Sequence, residues 1–111
     1  MVSTALYPAL DSRPALFSRR IATGELRDRL SFKGVSISDD LDTPAAARLG
    51  SAGRRALASA KAGMDLLLYA QSYGNAVKAE RALIHGNLNR NDLEAAATRI
   101  DRLRRSLSPN S

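Results

Sequence analysis

The chain has 111 residues, 44% of them hydrophobic, and a formal net charge of +6. That length suits one small domain, and with aromatics at only 5% and no Trp its core must be built from Ala, Leu, Ile and Val. The absence of cysteine excludes disulfides and thiolate metal sites, the single histidine excludes a multi-histidine metal site, and no apolar run is long enough to span a membrane.

Residues 1–7 read as a short strand entering a loop, and Pro8, Asp11, Ser12 and Pro14 are loop chemistry. Ser18 is the expected N-cap of a helix reaching about Leu30, with Ala22, Leu26 and Leu30 as its apolar stripe. Arg19, Arg20, Arg27, Asp28 and Arg29 are expected toward water. Phe32-Lys33-Gly34 turns the chain into a β-branched strand, Val35-Ser36-Ile37-Ser38, which ends in Asp39-Asp40-Leu41-Asp42. Thr43 caps the next helix and Pro44 occupies its first turn. This helix runs to about Ala62, with interruptions near Gly50 and Gly53 and Gly63 as its terminator.

Residues 64–70 (MDLLLYA) form the clearest strand, continuously apolar in the middle as a parallel strand covered on both faces should be. A helix is expected from about Asn75 to Ile84. The last helix is assigned Asn91 as cap and Glu94 as its capping-box partner. Its apolar positions, Leu93, Ala96, Ile100, Leu103 and Leu107, recur at helical spacing. Residues 108–111 read as a disordered tail. Strands and helices alternate at roughly 30-residue intervals, which indicates βαβ units and a parallel sheet.

In such folds the chemistry lies at the C-terminal ends of the strands. Only the second strand ends in carboxylates. Asp42 reads as a complement to the dipole of the Thr43 helix. Asp39 does not take that reading, because it is the first residue past the strand and projects toward the open end; position alone leaves open whether it is functional.

Residues 32–41 (FKGVSISDDL) resemble the signature of glycoside hydrolase family 3, in particular its β-N-acetylglucosaminidase branch, where Gly-Phe-x-Gly-Val-x-x-Ser-Asp-Asp-Leu is typical. Residues 1–11 (MVSTALYPALD), Pro14-Ala15 and Phe17-Ser18 are similar to the family's strand and loop leading to Tyr-Pro-x-x-Asp. Residues 62–68 (AGMDLLL) fit its Ala-Gly-x-Asp-x-x-Leu strand. The likeness runs from Met1 to about Leu103.

It implies a partial TIM barrel of about three parallel βα units plus a C-terminal helix, with residues 1–107 as the C-terminal portion of the catalytic (β/α)₈ barrel. A complete barrel takes roughly 250 residues. It also implies a retaining glycosidase in which Asp39 is the nucleophile, Asp40 and Thr4 serve as support and sugar contact, and the acid/base lies upstream of this chain. Thr4 stands where much of the branch has His or a larger polar residue, and Asp42-Thr43-Pro44 departs from the Met often found after Asp-Asp-Leu. No metal or cofactor is implied.

The substrate implied is a β-linked amino sugar or another β-glycoside. Three parallel strands cannot close a barrel, so two exposed edges are expected, covered by the missing upstream segment or by self-association. Two other readings remain. One is a structural or interaction remnant that has lost the chemistry. The other is a small basic nucleic-acid binder using Arg54, Arg55, Arg99, Arg102, Arg104 and Arg105, disfavoured because Asp92, Glu94 and Asp101 intersperse the last helix's arginines and aromatics are few. No signal peptide is read at the N-terminus, and His85 is expected on the surface near a helix C-terminus.

Overall fold

The computed structural model describes residues 1–109. Helix dominates these residues: a 3₁₀ turn at Ala15–Phe17, a π-helix at Arg20–Arg29, and α-helices α1 (Pro44–Ala47), α2 (Ala52–Ala62), α3 (Tyr73–His85) and α4 (Arg90–Ser106). The expected α/β fold, a partial TIM barrel with three parallel strands, is thereby corrected, because the described residues contain no sheet.

The three strand-like segments do run side by side and parallel, but each pair is joined by a single bridge, Val2 with Ser38 and Ile37 with Leu66. The hydrogen bonds show why neither ladder extends. Leu66 N–H donates to Ser36 C=O at 3.0 Å and Ser38 N–H to Leu66 C=O at 3.0 Å. The next rung would join Leu68 N–H to Ser38 C=O. Leu68 N–H instead donates to the Ser38 hydroxyl at 3.0 Å. Asp40 N–H turns to the Asp39 carboxylate at 2.7 Å, and Leu41 takes up Leu68 C=O one residue late. On the other side, Thr4 would carry the rung beside Asp39 but makes no backbone hydrogen bond among the described residues. Ser3 and Ala5, its neighbours, give their carbonyls to Leu16 N–H (3.1 Å) and Ala15 N–H (3.0 Å).

The two expected open edges therefore differ. The outer edge of the first segment is covered by the chain's own residues 15 and 16. The outer edge of the third is bare: the backbone N–H and C=O of Leu67 and Tyr69 have no partner among the described residues.

Ser18 starts its helix as expected, its hydroxyl accepting Ile21 N–H at 3.1 Å. The helix is wound wider than an α-helix, however, with Leu30 N–H reaching Glu25 C=O. Wider winding breaks the four-residue stripe. Ala22 is buried, and Leu30 is exposed. Thr43 and Pro44 begin α1, and the break falls at Gly50, whose φ is +125°, with Ser51 restarting the chain as the cap of α2. Gly53 does not interrupt. It lies inside α2, where a Cβ would meet that of Ala82 at 3.0 Å, and so allows α2 and α3 to approach closely. Gly63 terminates α2 at φ +109°, and a Cβ there would run into Thr23 Oγ1.

The cap of α4 is Asn89, accepting Asp92 N–H at 3.1 Å, not Asn91. Asn89-x-x-Asp92 offers the same cap-and-acid spacing two residues earlier, and Glu94 pairs with Arg90 instead. Ser108, the first residue of the expected disordered tail, donates to the carbonyls of Arg104 and Arg105; residues 110 and 111 of that tail lie outside the described residues.

The core has two centres. Leu16, Phe17, Leu41 and Ala46 form one; Ala22, Ala62 and Met64 form the other; Val2 and Leu67 touch both.

Candidate active site

Residues 38–42 bring three carboxylates to the end of the middle segment, and the structure sorts them sharply. Asp40 is engaged on both oxygens: Oδ1 accepts Asp42 N–H at 2.9 Å and Ala70 N–H at 3.0 Å, and Oδ2 accepts the Gln71 side chain at 3.1 Å. Asp42, with a side chain only 3% exposed, accepts Gln71 N–H (3.1 Å), Ser72 N–H (2.9 Å) and Asn75 Nδ2 (2.7 Å). Burial pushes both carboxyls up, but these hydrogen bonds outweigh it and hold both below the ordinary carboxylate range. Asp42 thus serves the start of α3, not the dipole of the Thr43 helix.

Asp39 is left different. Its backbone N–H is fixed to Val2 C=O at 2.8 Å, which anchors the residue. Its Oδ1 accepts only the adjacent Asp40 N–H, and its Oδ2 has no hydrogen-bond partner among the described residues. The side chain is half-buried. A fixed backbone and an oxygen with free lone pairs are what a nucleophilic carboxylate needs. Thr4 lies at the same end of the neighbouring segment, partly exposed, with no side-chain hydrogen bond among the described residues. His85 is exposed as the last residue of α3. Among the described residues no group of three or more His, Cys, Asp or Glu side chains is arranged to hold a metal ion.

Two arginines withdrawn from solvent, Arg55 and Arg27, were not foreseen. Arg55, expected on a basic surface, is 7% exposed, donates to Leu41 C=O, and lies 4.0 Å from Asp42. It braces the carboxylate turn from beneath. Tyr69 packs nearby, donating its hydroxyl to Ala52 C=O at 2.6 Å, and burial pushes its pKa up to about 12.

Arg27, expected toward water, has a side chain 12% exposed and meets Asp65, whose side chain is fully buried, at 2.8 Å. Arg99 of α4 grips the same carboxylate at 2.9 and 2.7 Å. Asp65 also accepts Ser36 N–H at 3.1 Å. This cluster sits where the second and third segments begin, at the end opposite Asp39. The only signal for it in sequence was the position of Asp65 at the head of an apolar run.

The model of the glycosyl hydrolase family 3 N-terminal domain matches residues 1–103. The chain belongs to glycosyl hydrolase family 3. It is 39% identical to an uncharacterized secreted glycosyl hydrolase of Arthroderma benhamiae over 114 residues, covering 97% of this chain and 32% of that protein. It is 44% identical over 68 residues to a β-hexosaminidase of Methylobacillus flagellatus, covering 61% of this chain and 20% of that one. Among solved structures, a family 3 β-N-acetylglucosaminidase from a Paenibacillus species superposes with a TM-score of 0.85 at 28% identity, over 94% of this chain and 21% of that one. The chain thus resembles the β-N-acetylglucosaminidase branch and spans between a fifth and a third of the length of these relatives.

Proposed function

We propose that this chain is the nucleophile-bearing part of a retaining β-glycosidase acting on β-linked N-acetylglucosamine or a related amino sugar. The observation that carries the reading is the sorting of the three carboxylates: Asp40 and Asp42 are tied into the scaffold, and Asp39 alone keeps a free oxygen. The names of the relatives, β-hexosaminidase and β-N-acetylglucosaminidase, support the substrate class.

In this reading Asp39 attacks the anomeric carbon. The bond to the leaving oxygen breaks as an acid protonates that oxygen, and a glycosyl ester forms on Asp39. Water, deprotonated by the same acid/base group, then displaces Asp39 and restores its carboxylate. Thr4 contacts the sugar and Asp40 supports the turn. The acid/base comes from polypeptide outside this chain, because Asp40 and Asp42 are engaged and His85 ends α3. The bare Leu67–Tyr69 edge gives that polypeptide a place to add. No cofactor takes part.

The test is hydrolysis of a chromogenic β-N-acetylglucosaminide by the chain, alone and mixed with the upstream portion of a family 3 relative. Turnover is expected only in the mixture and is expected to vanish with Asp39→Ala. A mixture that forms a complex and stays inactive, or stays fully active with Asp39→Ala, favours the second reading, a non-catalytic interaction remnant. That alternative is supported by the lack of a free acid beside Asp39 among the described residues.

A further inference from the structure

α4 is attached unlike any other helix of the chain. It is 17 residues long and has no buried residue. Its apolar stripe is largely uncovered: Leu93 is 49% and Leu103 42% exposed. Between α4 and the body lies a cavity of about 470 Å³, walled on one side by Leu93 and Ala96 and on the other by Met64, Leu67 and Leu83. A helix that gains little from apolar burial needs another source of attachment.

Two ion pairs supply it. Near its middle, Arg99 makes a two-pronged contact with Asp65, at 2.9 and 2.7 Å, and the Asp65 side chain is sealed from solvent. Near its start, Asp92 pairs with Arg19 at 3.0 Å, with both partners substantially exposed. The remaining ion pairs of α4, Arg90–Glu94 and Arg105–Asp101, lie within the helix and hold it to nothing. A two-pronged guanidinium–carboxylate contact away from water is strong and geometrically specific. An exposed pair is weak.

Residues 86–88 join α3 to α4 without helical structure. Gly86 approaches the body closely, where a Cβ would strike Leu57. That leaves Asn87 and Leu88, next to the cap of α4, as the part of the joint that is neither helical nor held close to Leu57.

We propose that α4 is a detachable strap, latched over the cavity by Arg99 on Asp65 and hinged at residues 87–88, which opens as a unit while α2 and α3 stay folded. Opening uncovers Leu67, at the bare edge, together with the apolar stripe of α4. The latch thus controls access to the surface where added polypeptide would pack, and this last consequence rests on the reading under Proposed function. The latch itself does not.

Hydrogen exchange of the 111-residue chain, resolved by peptide, tests it. Arg99→Gln leaves the Arg27–Asp65 pair intact and is expected to speed exchange across α4 about tenfold or more, with α2 and α3 changed less than twofold. Asp92→Asn is expected to give about threefold, in line with an exposed pair. Leu93→Ala is expected to change α4 less than twofold, as its side chain is half exposed. Unchanged α4 exchange in Arg99→Gln overturns the proposal. So does an equal rise in α2 and α3, which would make α4 part of one cooperative unit, or a larger effect from Leu93→Ala than from Arg99→Gln, which would make apolar contact the attachment.

Discussion

The two ends of the extended segments carry acidic clusters built on opposite plans. At one end Asp65 is a single carboxylate shared by two arginines, with nothing left to give. At the other, Asp39, Asp40 and Asp42 crowd together with one nearby guanidinium, Arg55, and are separated mainly by backbone and side-chain amide donors. The first plan neutralises charge and holds helices; the second spreads negative charge over fixed dipoles and leaves one carboxylate unspent. An acid cluster compensated by cations is finished, whereas one compensated by dipoles can retain a reactive member.

The sharpest way to break this contrast is Asp65→Asn, which leaves two largely covered arginines, Arg27 and Arg99, without their shared counter-charge. A loss of about 3 kcal/mol in urea denaturation is expected. Asp42→Ala should follow at about 2 kcal/mol, since two backbone N–H groups and the Asn75 amide lose their acceptor. Asp39→Asn should change stability by less than about 0.5 kcal/mol while abolishing turnover in the complemented assay, because its carboxylate supports only the adjacent N–H.

Acid provides a subtler comparison. Asp40 and Asp42 have folded pKa values below the unfolded value near 3.8, so their contribution is complete above that pH and fades as pH falls through the lower folded values. Stability measured from pH 5 downward should therefore decline, and Asp40→Asn should flatten the decline. Tyr69 acts in the other direction. Its folded pKa is raised from 10.0 to about 12, so its contribution is whole below pH 10 and is lost as pH rises toward 12. Tyr69→Phe should remove that alkaline slope.

Much of this was legible in the sequence. Ser18, Thr43 and Gly63 start or stop helices where their chemistry says they should, and the Asp39 motif stands at the end of an extended segment. The absence of a sheet was not legible because it depends on individual hydrogen bonds: the Ser38 hydroxyl captures the N–H that a backbone carbonyl would have taken, and the Ser3 and Ala5 carbonyls turn to Leu16 and Ala15. The inward turn of Arg27 and Arg99 was hidden for a related reason. Charge patterning along a helix points arginines outward, and only the distant carboxylate of Asp65, 38 and 34 residues away, reverses that. Asp42 was misread because its partners at residues 71–75 come from a later helix.

The unequal edges have a consequence for what the chain can build. A strand-like surface bare on both sides behaves as a monomer with two reactive ends, and successive additions propagate it into a fibre. Here Ala15 and Leu16 cap one side, and on the other the backbone groups of Leu67 and Tyr69 are unpaired among the described residues. A unit with one receptive end terminates growth at the first addition. Any pairing through this edge would therefore close at two bodies, with Ala15 and Leu16 as the chain stopper.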